Sequence, residues 1–162
     1  MINIKIKKLT STCQLPKKAH ETDACFDIYA DCPDAEFLDY DPELMSMVKR
    51  KGIVIYPNKS VTIKTGFCTE IPTGYFAAVF CRSGLGIKHN IRLCNSVGVI
   101  DSEYRGEWVV GLHNDGEKPY VIHHGDRIAQ FTLLPVLDIK LEESEDLTSS
   151  DRGEGGLGST GG

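Results

Sequence analysis

Short runs of alternating apolar and polar residues, divided by turn-forming residues, constrain the fold of this chain most. Residues 2–6 (I-N-I-K-I) and 61–64 (V-T-I-K) show the alternation, and further short apolar runs are found at 54–56, 75–81, 109–112, 120–122 and 128–136. A period of two is that of a strand with one buried face. Glycine, proline, asparagine and aspartate cluster between the runs. The pattern predicts an all-β barrel or jelly roll.

Length, composition and charge exclude several classes of protein. The 162 residues suit one domain that buries roughly 70% of the surface of its unfolded chain. The net charge of −5 disfavours a polynucleotide partner, which needs a basic surface. No apolar run approaches the ~18 residues of a membrane span, and the start MINIKIKKLT resembles a strand rather than a signal peptide. We therefore expect no nucleic-acid partner and no membrane.

The cysteines and histidines predict no metal centre. Six cysteines, at 13, 25, 32, 68, 81 and 94, are scattered without a C-x-x-C pair, and the five histidines form no ligand array. Buried free thiols in a reducing compartment fit this scatter better than disulfides or zinc. We expect the protein in the cytoplasm, or inside an infected host cell if its source is viral.

One segment breaks the strand pattern. In residues 41–50, Asp41 can cap a helix, Pro42 suits its first turn, and Lys49 and Arg50 suit its last. The segment predicts a short helix inserted between strands. Its apolar face, which would pack on the barrel, comprises Leu44, Met45 and Val48.

The C-terminal residues differ in character from the rest. We divide the chain into a β domain at 1–141 and an arm at 142–162, in which an acidic linker precedes a stretch with six glycines between 153 and 162. Glycine lets backbone N–H groups approach an anion, and Arg152, Ser159 and Thr160 add donors. The arm is interpreted as a phosphate-cradling loop or, alternatively, as a disordered linker.

Residues 95–108, N-S-V-G-V-I-D-S-E-Y-R-G-E-W, combine strand formers with a turn. They predict a hairpin that carries Asp101 and Tyr104 at its tip. A carboxylate beside a tight turn can act as a general base on water, which contributes about 10²–10⁴-fold to a rate. The alternative is a plain hairpin whose Asp101 bonds its own turn amides.

Two further clusters carry polar chemistry. Residues 81–86 (C-R-S-G-L-G) offer the Arg82 guanidinium and a hydroxyl, which suit a phosphate, although a solvated surface turn is the plainer interpretation. Residues 125–130 (G-D-R-I-A-Q) open an apolar strand, where Asp126 and Arg127 are expected to form a structural ion pair. Gln130 shares the period of Ile128 and Thr132 and could reach a pocket.

Taken together, these segments resemble the five motifs of the homotrimeric dUTPases, in the family's order and over almost the whole chain. The motifs are D-A-C-F-D-I-Y-A (23–30), R-S-G-L-G (82–86), N-S-V-G-V-I-D-S-E-Y-R-G (95–106), G-D-R-I-A-Q (125–130) and R-G-E-G-G-L-G-S-T-G (152–161). The resemblance implies a distorted jelly-roll subunit in a homotrimer with three shared active sites. It also implies hydrolysis of dUTP to dUMP and pyrophosphate, which limits uracil in DNA and supplies dUMP for thymidylate synthesis.

The resemblance assigns roles to residues of this chain. Asp101 would activate the water that attacks the α-phosphate, and Ser83 would stabilise charge on the bridging oxygen. Magnesium would be held mainly by the triphosphate and water, with Asp27 touching only metal-bound waters. Uracil and deoxyribose would be bound by Asn95, Gly98, Val99, Ile100, Tyr104, Val109 and Leu157. The phosphates would be bound by Arg82, Ser83, Gly84, Gln130, Arg152, Gly158, Ser159 and Thr160, the last four from a lid exchanged between subunits.

The chain departs from the family pattern at two places. Leu157 stands where the family usually has a phenylalanine that stacks on uracil, and the insertion at 41–50 is longer than in a minimal member. Two other functions compete with dUTP hydrolysis. A dCTP deaminase of the same fold would need a glutamate at the position of Gly111, and a non-catalytic nucleotide binder would not need the acid at Asp101.

Overall fold

The computed structural model describes residues 2–156, which form thirteen strands and one short helix. The first seven strands are β1 (Lys5–Lys8), β2 (Phe26–Tyr29), β3 (Glu36–Asp41), β4 (Ser46–Lys51), β5 (Ile53–Ile55), β6 (Ser60–Lys64) and β7 (Phe67–Glu70). The later elements are β8 (Tyr75–Phe80), α1 (Ser83–His89), β9 (Ile91–Leu93), β10 (Gly98–Ile100), β11 (Val109–Asn114), β12 (Tyr120–Ile122) and β13 (Arg127–Pro135).

Two antiparallel sheets supply most of the core. One has the strand order β10-β8-β13-β2 and the other β6-β11-β9, while β1-β7, β5-β12 and β3-β4 pair separately. Buried side chains from both sheets join one apolar cluster, in which Ile28 and Leu112 are fully buried. The prediction of an all-β, jelly-roll-like fold is confirmed.

Trp108 links the core to the strands around it. Its ring lies 5.2 Å from Phe67 and 5.0 Å from Phe131, centroid to centroid. Its indole N–H donates to Thr69 Oγ1 at 3.1 Å, and its carbonyl accepts from Thr65 Oγ1 at 2.7 Å. Because a buried indole N–H needs a partner, these bonds fix the start of β11 as well as the ring.

The helix predicted at residues 41–50 is wrong: the segment belongs to a hairpin of β3 and β4. Asp41 does cap backbone N–H groups, of Glu43 and Leu44, but it opens a turn rather than a helix. Arg50 pairs across the hairpin with both Asp39 at 2.8 Å and Asp41 at 3.3 Å. A ten-residue helix is marginal without a packed face, and Leu44 and Met45, which were to form that face, are exposed.

The hairpin predicted at residues 95–108 is also wrong in its pairing. β10 pairs with β8, whereas β11 pairs with β6 and β9. The segment between them therefore crosses from one sheet to the other. Both flanking runs are strands, as predicted, but each pairs with strands elsewhere in the chain, which periodicity does not reveal.

The described helix, α1, was not predicted. Its two glycines weaken the helical signal. The signals that favour it lie at its end, where Lys88 and His89 occupy the last turn and Asn90 takes the left-handed conformation of a C-cap.

All six cysteines are free thiols, but burial holds fully only for Cys13, and Cys94 is exposed. Among the described residues, no helix is long and apolar enough to cross a membrane.

Candidate active site

A cavity of about 330 Å³ collects polar side chains from three of the sequence motifs. Asp27 comes from β2, Arg82 follows β8, and Arg127 and Gln130 lie on β13. These strands are neighbours in the sheet order β8-β13-β2, so the sheet itself brings the motifs together.

The Asp27 carboxylate lies between two guanidiniums. Arg82 Nε donates to Oδ1 at 2.8 Å, and an Nη of Arg127 donates to Oδ2 at 3.1 Å. Asp27 is 8% exposed, while the Arg127 side chain is 47% exposed. Asp23 also lines the cavity, so its formal charges balance. The guanidinium N–H groups that Asp27 does not use nevertheless suit phosphate oxygens, and we name the space the cationic cavity after its two guanidiniums.

A bulge in β13 determines that the Gln130 side chain faces this cavity. The register with β2 shifts between Arg127 and Ala129, so Ile128 is fully buried and Gln130 lines the cavity opposite Asp27. Gln130 Nε2 donates to the Cys81 carbonyl at 3.0 Å. The expectation that Gln130 reaches a pocket is confirmed.

Two expectations from the sequence are wrong: the solvated surface turn at residues 81–86 and the ion pair between Asp126 and Arg127. Arg82 is not solvated, since its side chain is 24% exposed and bound to Asp27. Asp126 does not pair with Arg127, because its Oδ2 accepts from the His123 N–H at 2.7 Å across a turn.

Ser83 and Gly84 form the first turn of α1, directly after Arg82, and both are exposed. A Cβ placed on Gly84 would meet nothing within 4 Å. Packing therefore does not require glycine there, and close approach of a ligand to the backbone remains a reason for it.

A second, narrow cavity of about 70 Å³ lies between β10 and β11. Because the two strands pair with different partners, backbone and side chains from both face this slot. Gly98 lies where a Cβ would be 3.0 Å from Val79 Cβ and 3.5 Å from Asn95 Nδ2, so glycine keeps the slot open. The predicted base-binding residues that line it are Asn95, Gly98, Val99, Ile100 and Val109.

Asp101 and Tyr104 occupy the exposed turn after β10. The Asp101 carbonyl accepts from the Tyr104 N–H at 3.1 Å, and the Tyr104 hydroxyl donates to the Glu107 carbonyl at 3.0 Å. Within residues 2–156 the Asp101 carboxylate makes no hydrogen bond. The alternative in which it bonds its own turn amides is therefore wrong, and the carboxylate is available to a ligand.

The two cavities open on opposite sides of β2. Ile28 lines the slot, whereas the adjacent Asp27 lines the cationic cavity. Successive side chains of a strand point to opposite faces. Asp101, Tyr104 and Ser83 line neither cavity.

The arm is described only in part. Arg152 is exposed and its Nε donates to the Gly155 carbonyl at 2.9 Å, within its own loop. Four predicted residues lie outside the described residues: Leu157, Gly158, Ser159 and Thr160.

Sequence reasoning missed Arg127 as a residue of the cationic cavity, and it also missed Cys25. Burial raises the pKa of the Cys25 thiol, and the nearby charge of Asp27 raises it further, so the thiol stays neutral. The pairing of Arg127 with Asp27 spans 100 residues of sequence, and no local pattern indicates it.

The oxygens of Asp27 fit a metal ion that arrives with a bound ligand and is contacted only through its waters. Among residues 2–156 no group of three or more His, Cys, Asp or Glu side chains could hold a metal. The Asp27 oxygens each accept one guanidinium bond, which leaves lone pairs for a metal-bound water. Magnesium suits such a site, because it keeps most of its waters and takes few protein ligands.

The chain is similar to known proteins in sequence and in fold. Residues 46–161 match the family model described as dUTPase. A deoxyuridine 5'-triphosphate nucleotidohydrolase of Clostridium acetobutylicum is 41% identical over 161 residues, which cover 99% of this chain and 98% of the relative. That of Clostridioides difficile is 38% identical and covers 99% of both chains. The Staphylococcus bacteriophage 80alpha dUTPase with dUPNHPP superposes with a TM-score of 0.79, at 26% identity over 98% of both chains.

Proposed function

The chain belongs to the dUTPase family, and from that membership we propose how its own residues carry out the hydrolysis of dUTP to dUMP and pyrophosphate. The reaction itself follows from the family and from the relatives' shared activity. The single observation that carries the residue assignment is the division of the motifs between a narrow slot and a cationic cavity.

The slot between β10 and β11 binds the uracil. Backbone groups of Gly98 to Ile100 and the Asn95 side chain present donors and acceptors at fixed positions. Cytosine carries an amino group where uracil has a carbonyl, so it would leave buried groups mispaired. Sites of this kind reject an analogue by roughly 10⁴–10⁵-fold.

Asp101 is the general base and Tyr104 contacts the deoxyribose. The exposed Asp101 carboxylate has unused acceptors and can take a proton from the attacking water. The water oxygen then forms a bond to the α-phosphorus, and pyrophosphate leaves. The Tyr104 ring leaves no space for a ribose 2′-hydroxyl.

The cationic cavity and the start of α1 bind the phosphates. Arg82 and Gln130 face the triphosphate, and the Ser83 hydroxyl donates to the bridging oxygen that gains charge. Magnesium, when bound with the nucleotide, neutralises charge on the phosphate oxygens. Asp27 orients Arg82 and accepts hydrogen bonds from metal-bound water.

The active site is completed between subunits of a homotrimer. Slot and cationic cavity lie on opposite faces of β2 within one chain, so one bound nucleotide cannot occupy both from the same subunit. A neighbouring chain that supplies the second half resolves this conflict. The arm at 142–162 reaches a shared site as a lid, with Arg152, Ser159 and Thr160 on the γ-phosphate and Leu157 over the base.

Pyrophosphate release from dUTP with magnesium, measured beside dCTP and UTP, tests the proposal. Turnover of dUTP alone supports it, and release of ammonia from dCTP would identify a deaminase instead. A deaminase is disfavoured because a Cβ at Gly111 would lie 3.3 Å from Cys94 Cβ, which leaves little room for a glutamate.

A further inference from the structure

The ring of Tyr104 lies directly over the backbone of Gly106. A Cβ placed on Gly106 would be 2.5 Å from the Tyr104 hydroxyl oxygen and 2.6 Å from Cζ. Carbon atoms do not approach so closely, so any side chain at 106 must displace the ring. Gly106 has no positive φ, and alanine can adopt its backbone conformation.

The turn beneath the ring is anchored to the body of the protein. The Glu107 carbonyl accepts from the Tyr104 hydroxyl at 3.0 Å, while Glu107 Oε1 accepts from the Gly66 N–H at 2.9 Å. The next residue, Trp108, donates its N–H to the Phe67 carbonyl at 3.0 Å. These hydrogen bonds fix the position of the Gly106 backbone. The Tyr104 ring that lies on it is 43% exposed, so a side chain at 106 can displace the ring.

We propose that Gly106 is a positioning residue that sets the enzyme's discrimination between deoxyribose and ribose. Because glycine has no Cβ, the Tyr104 ring can lie against the backbone of residue 106, and this contact fixes the distance between the ring and the turn. The inference rests on the proposed contact of Tyr104 with the sugar. A side chain at 106 would lift the far end of the ring, and the ring would no longer occupy the space of a 2′-hydroxyl.

The test compares kcat/KM for dUTP and UTP in Gly106→Ala. The discrimination ratio should fall by roughly tenfold or more, the scale on which pockets separate substrates that differ by one small group. The melting temperature should stay close to that of the parent, because only the end of an exposed side chain must move. Glu103→Ala, in the same turn and exposed, is the matched control and should keep the parent ratio.

Two further measurements separate this inference from the proposed role of Tyr104. A crystal structure of Gly106→Ala should show the Tyr104 ring displaced from the backbone of residue 106, and an undisplaced ring would overturn the inference. Tyr104→Ala should lower the ratio by itself, and adding Gly106→Ala should lower it no further. If Tyr104→Ala lowers the ratio and Gly106→Ala does not, the positioning role fails while the sugar contact stands. If Tyr104→Ala leaves the ratio unchanged, the sugar contact fails, and the positioning role fails with it.

Discussion

Arg82 Nε lies 2.8 Å from Oδ1 of Asp27, although 55 residues of sequence separate them. The side chain of Asp27 is 12% exposed, and that of Arg82 is 24% exposed. A guanidinium bound to a buried carboxylate keeps one orientation, which saves the entropy of ordering it when phosphate arrives. The pair therefore prepares the cationic cavity for its ligand.

Replacing Asp27 by asparagine should affect both stability and substrate binding. The change leaves two guanidiniums without their anion, and a cost of about 2 kcal/mol is expected, less than the 3–5 kcal/mol of a fully buried pair because both arginines are partly exposed. Urea unfolding measures it. Asp39→Asn is the control, since its pair with Arg50 is half exposed and should cost under about 1 kcal/mol. Equal costs for the two variants would contradict the special role of Asp27.

Asp101→Asn should retain nucleotide affinity and lose at least about 10²-fold in kcat, because the amide cannot take the proton of the attacking water. Binding of a non-hydrolysable dUTP analogue and steady-state kinetics measure the two quantities. A near-normal kcat would remove Asp101 from the role of base.

Gly98→Ala should weaken substrate binding and change kcat little. The added Cβ would come within 3.0 Å of Val79 and would narrow the slot beside Asn95. The expected result is a rise in KM for dUTP of roughly tenfold or more, on the scale of one methylene in a pocket. A parent-like KM would show that the base binds elsewhere.

Deleting residues 151–162 should leave a folded protein with little turnover. Residues 142–154 are exposed, so this part of the arm adds nothing to the core. Thermal unfolding should be close to that of the full chain, whereas kcat should collapse because Arg152 and the glycine-rich segment are gone. Full activity of the truncated protein would contradict the lid.

Alkaline pH should lower the stability through three thiols that are buried or half-buried in the folded chain. Burial raises the pKa of Cys13, Cys25 and Cys32 above the value of 9.0 expected for an exposed thiol. The unfolded chain therefore loses these protons at a lower pH than the folded chain. The contribution of the three thiols to the free energy of unfolding is complete below pH 9.0 and declines above it. Urea unfolding under reducing conditions, from neutral pH to pH ~10, should show the decline, and Cys13→Ala should reduce it.

Local periodicity predicted the strands well but not their partners. Val61 and Ile63 alternate with polar residues, as in a strand with one buried face, and β6 includes both of them. The segment after Val97 also forms a strand, yet its partner is β8 rather than β11, because pairing depends on contacts distant in sequence. Residues 41–50 carried helix-capping residues, but Asp41 serves equally well to open a turn.

The motifs indicated residues that line the two cavities, but not how the fold brings these residues together; their roles in binding stay predictions. Asn95, Gly98 and Gln130 line cavities as expected. The use of Arg127 was not foreseen, because its neighbour Asp126 offered a plausible partner within the same turn. The bond that Arg127 makes with Asp27 arises only when β2 and β13 are brought together.

The slot also contains the only tryptophan in the sequence, Trp108. Its indole is an intrinsic optical probe at the place where the base is proposed to bind. Fluorescence quenching on addition of nucleotide should therefore follow occupancy directly, without a label and before any phosphate bond is cleaved.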